Sequence, residues 1–212
     1  MYQAVIFDLD GVICHTDSYH YKAWKFIADK IGATFNETIN GKLRGVGRLD
    51  SLDIILKESG ICHLSPNEKA FLAEAKNDYY LHLLDYMAPQ DLDESVLRTL
   101  RDLKNIGIKI AIGSSSKNAK RILEKLEIIN MFDAISDGTN ISHAKPNPEV
   151  FTKAAEMLGV LPSCSLVVED AISGVEAASR GGFDSAGLGD AKSHPNVTFQ
   201  LSNFEDLIGI VR

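Results

Sequence analysis

The chain has 212 residues and a formal net charge of −7, with 45% hydrophobic and 24% charged residues. Such a composition is typical of a soluble globular protein with a sizeable core, organised as one large domain or as a main domain with a smaller insert. The acidic balance argues against a general nucleic-acid binder, which needs a basic face. An anionic substrate would therefore have to be recognised by a few local cations.

The cysteine pattern and the lack of long apolar runs indicate the cellular compartment in which the protein is expected. Cys14, Cys62 and Cys164 are odd in number and form no CxxC pair, which argues against a disulfide framework or a zinc knuckle. No apolar run approaches the ~20 residues of a membrane helix, and the early Asp8 argues against a signal peptide. We expect a cytoplasmic protein without membrane or nucleic-acid partners, and a monomer.

Short apolar runs alternate with helix-period stretches along most of the chain, which predicts a Rossmann-like α/β core with a parallel sheet. Strands are predicted at residues 4–9, 108–112, 134–136, 165–168 and 184–188, with a weaker one at 197–199. Helices are predicted between them at residues 94–105, 117–126 and 148–158.

Residues 16–87 depart from this alternation and predict consecutive helices. One helix is predicted to end at Gly32, and another to begin after Ser65 with a capping box to Glu68. The apolar stripe of this second helix is predicted to consist of Leu72, Ala75, Tyr79 and Leu83. We therefore expect an α/β core domain at 1–15 and 88–212, with an inserted all-helical cap domain at 16–87.

Polar residues follow three of the predicted strands, at the sheet edge where α/β proteins bind ligands. The first strand leads into Asp8 and Asp10, and the fourth into Glu169 and Asp170. The second strand leads into a polar run, and a loop with two prolines adds one more cation. These further candidates are Ser114, Ser116, Lys117, Asn118 and Lys145.

Four carboxylates in one place repel each other unless a cation neutralises them. Because the group contains oxygen ligands without histidine or cysteine, Mg²⁺ is the expected ion. Lys145 would add a second positive charge, and the Ser114 hydroxyl could hold phosphate oxygens. Together these residues predict a phosphoryl-transfer site.

Each of these motifs also has an ordinary structural interpretation. An Asp-x-Asp after a strand often forms a turn, and serine runs or Glu169-Asp170 can simply cap the next helix. The glycines around Val46 do not follow a strand, so they match a dinucleotide fingerprint poorly. The functional hypothesis rests on all four motifs occurring together on successive strand ends.

Taken together, Asp8-Leu-Asp10-Gly-Val, Ser114, Lys145-Pro146 and Glu169-Asp170 resemble the four motifs of the haloacid dehalogenase superfamily. The helical insert after the first strand is similar to the small cap domain of that superfamily, so the resemblance spans nearly the whole chain. Two cap segments, HTDSYHYKAW at 15–24 and VGRLDSL at 46–52, further resemble its sugar-phosphate mutases.

The resemblance implies roles for the core residues. Asp8 would be the nucleophile that forms an aspartyl phosphate, and Asp10 the general acid and base. Ser114 and Lys145 would hold the transferring phosphoryl group. Mg²⁺ would be bound by the Asp8 carboxylate, the Asp10 backbone carbonyl and Asp170, with Glu169 close by.

The resemblance also implies roles in the cap. Arg48 would bind a distal phosphate, with Lys117 and Asn118 as partners from the core, and a gating group of Thr16, His20 and Lys76 would act on Asp10. Arg48 is predicted to lie in a glycine-flanked loop, and Lys76 beside its helix's apolar stripe. The remaining predicted substrate contacts are Trp24, Gly45, Ser51 and Ser116. Gly47 and Leu49 depart from the resembled pattern, which leaves sugar specificity open.

Three functions are compatible with these residues. The preferred one is a mutase that interconverts β-D-glucose 1-phosphate and glucose 6-phosphate through a phospho-aspartate and a 1,6-bisphosphate. The second is a sugar-phosphate phosphatase on the same scaffold. The third, a catalytically idle phosphate sensor, is disfavoured because every catalytic position is filled.

Overall fold

The computed structural model describes residues 1–43 and 46–212 and divides them into two compact units. The first unit contains Met1–His15 and Ala88–Arg212, and the second contains Thr16–Met87. The predicted contact at Gly45 lies outside the described residues.

The first unit is built on a six-stranded sheet with the order β3-β2-β1-β4-β5-β6, in which every pairing is parallel. This confirms the predicted fold class. The strands are β1 (Ala4–Phe7), β2 (Lys109–Gly113), β3 (Ala134–Ser136), β4 (Ser165–Glu169), β5 (Asp184–Gly187) and β6 (Phe199–Gln200). The chain places β2 and β3 on one side of β1 and the later strands on the other, so β1 lies next to the point where the strand order reverses.

The helices of this unit cover a sheet that is apolar on both faces, as parallel sheets require. They are α5 (Glu94–Asn105), α6 (Ala119–Lys125), α7 (Glu149–Leu158), α8 (Ile172–Arg180) and α9 (Leu207–Val211). One continuous core joins β1 and β4 to α7 and α8 through residues such as Ile6, Val167, Phe151 and Ala177.

At the end of β1 and at the start of α6, the boundaries differ from the predictions because a turn and side chains compete with regular structure. Strand β1 ends at Phe7 rather than at residue 9, since the Leu9 carbonyl accepts hydrogen bonds from Ile13 and Cys14 in a turn. Helix α6 begins at Ala119 rather than at residue 117. The Ser114 and Ser116 hydroxyls accept hydrogen bonds from amides two residues later, which delays the helix.

The second unit contains α1 (Asp17–Ile31), α2 (Glu37–Gly41), α3 (Arg48–Glu58) and α4 (Pro66–Leu84). Gly32 ends α1 at φ +67°, as predicted. The capping box of Ser65 and Glu68 also forms at the start of α4. The unit has its own apolar core, which includes Trp24, Leu52 and Ile55.

The apolar stripe predicted for α4 is displaced by one residue from the face that the helix buries. The buried positions are Ala73, Lys76, Asn77, Tyr80 and Leu84, whereas the predicted stripe residues are only half-buried. Apolar spacing alone misplaced the stripe because the helix buries two polar side chains, Lys76 and Asn77. Lys76 therefore belongs to the buried face instead of lying beside it.

Candidate active site

The carboxyl ends of β1, β2 and β4 lie side by side in the sheet and bring the predicted motifs of the first unit to one edge. Asp8 directly follows β1, and its backbone amide donates a hydrogen bond of 2.9 Å to the Val168 carbonyl in β4. Ser114 follows β2, and Glu169 is the last residue of β4. The order of the strands explains why motifs far apart in sequence meet here.

Three carboxylates form a tight group at this edge. Asp8, Glu169 and Asp170 each offer a carboxylate oxygen, and these oxygens all lie within 4.8 Å of one another. Asp8 is 7% exposed and Glu169 is 1% exposed. Such an all-oxygen donor set fits a hard divalent cation, because three nearby anions in a poorly hydrated place require positive charge.

Lys145 supplies one positive charge to this group. Its ammonium donates hydrogen bonds to Asp8 Oδ1 and, at 2.6 Å, to Glu169 Oε1, and it lies 4.6 Å from the centroid of the Phe151 ring. Burial by itself would lower the pKa of Lys145, but the charges of Asp8 and Glu169 outweigh it, so this pKa is raised. Lys145 is therefore a fixed cation between two of the three carboxylates.

For Glu169, burial outweighs the opposite charge of Lys145 in setting the pKa. Burial and then the neighbouring Asp8 charge raise the pKa of Glu169, and this rise persists although Lys145 acts to lower it. The second Glu169 oxygen, Oε2, accepts a 2.9 Å hydrogen bond from the Ala171 amide. The group of carboxylates thus retains excess negative charge that Lys145 does not balance.

Two glycines make room for these carboxylates, and the sequence interpretation assigned a role to neither. Gly11 has φ +89°, and a Cβ there would lie 2.2 Å from Asp170 Oδ2. A Cβ at Gly174, in α8, would lie 1.8 Å from Glu169 Oε1. The only sequence signal for this requirement is that each glycine follows closely after a motif carboxylate.

The loop after β2 is shaped by its own serines. The Ser114 hydroxyl accepts a 3.1 Å hydrogen bond from the Ser116 amide, and the Ser116 hydroxyl accepts one of 3.2 Å from Asn118. Ser114 is buried, whereas Lys117 is exposed. The loop therefore presents a row of polar groups beside the carboxylates.

Asp10 lies in the turn after β1 and is only half-buried. It forms a bridge with Cys14, and the Gly11 amide donates a 2.7 Å hydrogen bond to the Cys14 carbonyl. Its carboxylate is not part of the three-carboxylate group. The predicted group of four carboxylates is therefore a group of three, while the proton-carrier role of Asp10 and the metal contact through its carbonyl stay predictions.

The predicted gating residues lie together in the second unit. Thr16 is buried immediately before α1, and its carbonyl accepts a 3.0 Å hydrogen bond from the His20 amide. The Lys76 ammonium lies 2.9 Å from His20 Nδ1, and the His20 ring stacks on Tyr80 with 4.2 Å between the ring centroids. Lys76 also lies 5.1 Å from the ring centroid of Trp24.

The contact between the Lys76 ammonium and His20 Nδ1 defines which ring nitrogen of His20 carries the proton. Because an ammonium group only donates, Nδ1 must accept, which assigns the imidazole proton to Nε2. Burial and then the charges of Lys76 and Arg48 hold the pKa of His20 well below its ordinary value. His20 is therefore neutral, with its ring proton on Nε2.

Arg48 is the first residue of α3 rather than part of the preceding loop, which corrects the sequence interpretation. Its guanidinium donates to Asn77 at 2.7 Å and to Glu74 at 3.3 Å. Ser51 is buried one turn later, and its hydroxyl donates to the Val46 carbonyl at 3.4 Å. Spacing alone gave no signal for Asn77, since an asparagine within a helix is ordinarily exposed.

Comparisons with known proteins agree with this architecture. A family model described as haloacid dehalogenase-like hydrolase matches residues 2–182. The chain is 42% identical over 206 residues to a β-phosphoglucomutase of Bacillus subtilis. The aligned region covers 97% of this chain and 91% of the relative. It is 30% identical to a phosphorylated carbohydrates phosphatase of Thermotoga maritima, over 86% of this chain and 82% of that protein.

A crystal structure of β-phosphoglucomutase from Clostridium difficile superposes with a TM-score of 0.92 at 36% identity, covering 98% of this chain and 93% of that one. None of the helices in the described parts of the chain has the length and hydropathy needed to cross a lipid bilayer.

The match to the family model and the identity to the Bacillus subtilis relative show that the chain belongs to the haloacid dehalogenase-like hydrolases and, within them, to the β-phosphoglucomutase family.

Proposed function

We propose that the protein is a Mg²⁺-dependent β-phosphoglucomutase that interconverts β-D-glucose 1-phosphate and glucose 6-phosphate. The 42% identity to a β-phosphoglucomutase over nearly the whole chain carries this proposal. The buried Asp8, in direct contact with Lys145 and beside Glu169 and Asp170, supports phosphoryl transfer as the chemistry.

Asp8 acts as the nucleophile in this proposal. One carboxylate oxygen of Asp8 forms a bond to a phosphorus of β-glucose 1,6-bisphosphate, while the bond between that phosphorus and sugar oxygen O1 breaks, and Asp10 gives that oxygen its proton, which releases glucose 6-phosphate. Lys145 and the Ser114 hydroxyl hold the phosphoryl oxygens as negative charge shifts onto them. In the second half, Asp10 removes a proton from the 6-hydroxyl of β-glucose 1-phosphate, which then takes the phosphoryl group from Asp8 and re-forms the bisphosphate.

Asp8, Glu169 and Asp170 would hold the Mg²⁺ ion, with the Asp10 carbonyl as a further ligand. When bound, the ion supplies positive charge that screens the carboxylates and the phosphoryl oxygens. The three acidic side chains and their two supporting glycines form a suitable set for this ion.

The cap residues provide the sugar specificity in this proposal. Arg48 and Ser51 bind the distal phosphate together with Lys117 and Asn118, and Trp24, Gly45, Ser116 and Lys76 complete the substrate contacts. Thr16, His20 and Lys76 hold Asp10 out of position until the sugar binds. We further propose that the enzyme acts as a monomer, in the cytoplasm, on small sugar phosphates.

Hydrolysis of sugar phosphates is the second candidate, because a relative with 30% identity is named a phosphatase. Both functions begin with phosphoryl transfer to Asp8 and differ in whether sugar or water accepts the group next.

One assay distinguishes these functions. The protein receives β-glucose 1-phosphate, a trace of β-glucose 1,6-bisphosphate and Mg²⁺, and glucose 6-phosphate and free phosphate are followed together. We expect glucose 6-phosphate to dominate, and Asp8→Ala to lower its formation by at least ~10⁴-fold because the nucleophile is lost. Dominant free phosphate would instead establish the phosphatase.

A further inference from the structure

The side chain of Arg48 is held by two residues of α4 that differ in charge. Arg48 Nη2 donates to Asn77 Oδ1 at 2.7 Å, and Nη1 lies 3.3 Å from Glu74 Oε2. Glu74 and Asn77 are three residues apart in the helix, so both lie on the side that faces Arg48. One helix therefore offers this guanidinium both a neutral and an anionic acceptor.

The two acceptors also differ in burial. Asn77 is 8% exposed, while the Glu74 side chain is 65% exposed and that of Arg48 is 26% exposed. A buried amide fixes the direction of the guanidinium and leaves its positive charge intact. An exposed carboxylate, by contrast, forms a weak and replaceable ion pair that partly cancels this charge.

We infer that Asn77 is a positioning residue that orients Arg48 for a phosphate, and that Glu74 is a counter-ion that this phosphate displaces. The inference rests on the proposed function, in which Arg48 binds the distal phosphate of the sugar. Carboxylate and phosphate oxygens both accept hydrogen bonds from the N–H groups of a guanidinium, so they compete for the same donors. Asp78 adds a further negative charge near Arg48, which strengthens the competition.

The first test removes the charge of Glu74 with Glu74→Gln. We expect the KM for β-glucose 1-phosphate to fall by up to about fivefold, the change that corresponds to ~1 kcal/mol for an exposed ion pair, with little change in kcat. Hydrolysis of p-nitrophenyl phosphate, which carries no distal phosphate, should not change. The matched control is Asp53→Asn, which removes one charge from another exposed ion pair between α3 and α4, that with Lys69 at 2.6 Å.

The second test concerns Asn77. We expect Asn77→Ala to raise the KM for β-glucose 1-phosphate about tenfold or more, because an oriented hydrogen bond to a charged group is lost. Asn77→Asp keeps the size of the side chain but adds a charge, so it should also raise this KM while the protein remains folded in a thermal melt. Arg48→Ala provides the reference for complete loss of the contact.

Two separate results decide the proposed function and this inference. If the wild-type protein forms no glucose 6-phosphate, the proposed function is wrong and the inference falls with it. If the wild type isomerises but Glu74→Gln behaves like Asp53→Asn, the counter-ion role of Glu74 is wrong. If Asn77→Asp retains the wild-type KM, or if both substrates are affected equally, the positioning role of Asn77 is wrong.

Discussion

Gly11 determines how closely Asp170 can approach the other carboxylates. It combines a positive φ, which side chains rarely tolerate, with a position where a Cβ would lie 2.2 Å from Asp170 Oδ2. Asp8 and Asp10 stand out in the sequence through their charges. The glycine behind them leaves room for the Asp170 carboxylate, and this role becomes visible only when the fold brings Asp170 beside it.

We predict that Gly11→Ala weakens metal binding, because the added methyl group forces Asp170 away from its position. The Mg²⁺ concentration for half-maximal turnover should rise about tenfold or more, as is usual when the support of a metal ligand is disturbed. The matched control is Gly159→Ala, at φ +66° with no atom within 4 Å of an added Cβ. The control should cost about 1 kcal/mol of stability and leave the Mg²⁺ requirement unchanged. Equal Mg²⁺ requirements in wild type and Gly11→Ala would contradict this account.

Sequence motifs predicted the individual residues of the first unit better than those of the second. Four carboxylates, those of Asp8, Asp10, Glu169 and Asp170, were predicted as one cluster with Lys145. The structure brings these groups together except for the Asp10 carboxylate, which lies outside the group. Asn77 and Tyr80 were missed because their contacts with Arg48 and His20 join different helices. Local spacing carries no information about such contacts.

At the scale of elements, α4 has a second role besides closing the core of its unit. Its buried face carries Lys76 and Asn77, which contact His20 and Arg48. A polar residue is normally excluded from a buried stripe unless it has a partner. The displacement of the stripe by one residue therefore marks the side of α4 that contacts His20 of α1 and Arg48 of α3.

The contact between α1 and α4 predicts a dependence of stability on pH. His20 is neutral in the folded protein because burial, Lys76 and Arg48 lower its pKa, whereas in the unfolded chain it titrates near 6.5. Below this pH the unfolded state binds more protons, so folding stability falls as the pH decreases from 6.5 towards the folded pKa. Each pH unit in this window should lower the free energy of unfolding by about 1.4 kcal/mol at most. Solvent screening at the half-buried His20 makes the loss smaller than this.

Urea unfolding of the metal-free protein at about pH 7.5 and about pH 5.5 measures this effect. His20→Asn should remove most of the loss in apparent free energy of unfolding. Lys76→Met should remove a smaller part of it, because burial is the larger cause. The same loss in wild type and His20→Asn would show that His20 is not the group responsible.

At the scale of the whole molecule, the sequence predicted the class of the sheet but not the order of its strands. Alternation of strands and helices predicted a parallel sheet, and the ends of β1, β2 and β4 were correctly singled out as polar. Their adjacency depends on the order β3-β2-β1-β4-β5-β6, which apolar patterns do not encode. Local turns and serine hydrogen bonds explain the remaining differences at Phe7 and Ala119.

In the proposed reaction, the phosphoryl group carried by Asp8 passes to a sugar hydroxyl rather than to water. The most direct measurement supplies β-glucose 1,6-bisphosphate labelled with radioactive phosphorus, together with unlabelled β-glucose 1-phosphate and Mg²⁺. Samples quenched in acid are separated into protein-bound label, sugar phosphates and free phosphate. We predict that label appears on the protein, is absent from Asp8→Ala, and leaves mainly as sugar phosphate. Label that leaves mainly as free phosphate would contradict the account.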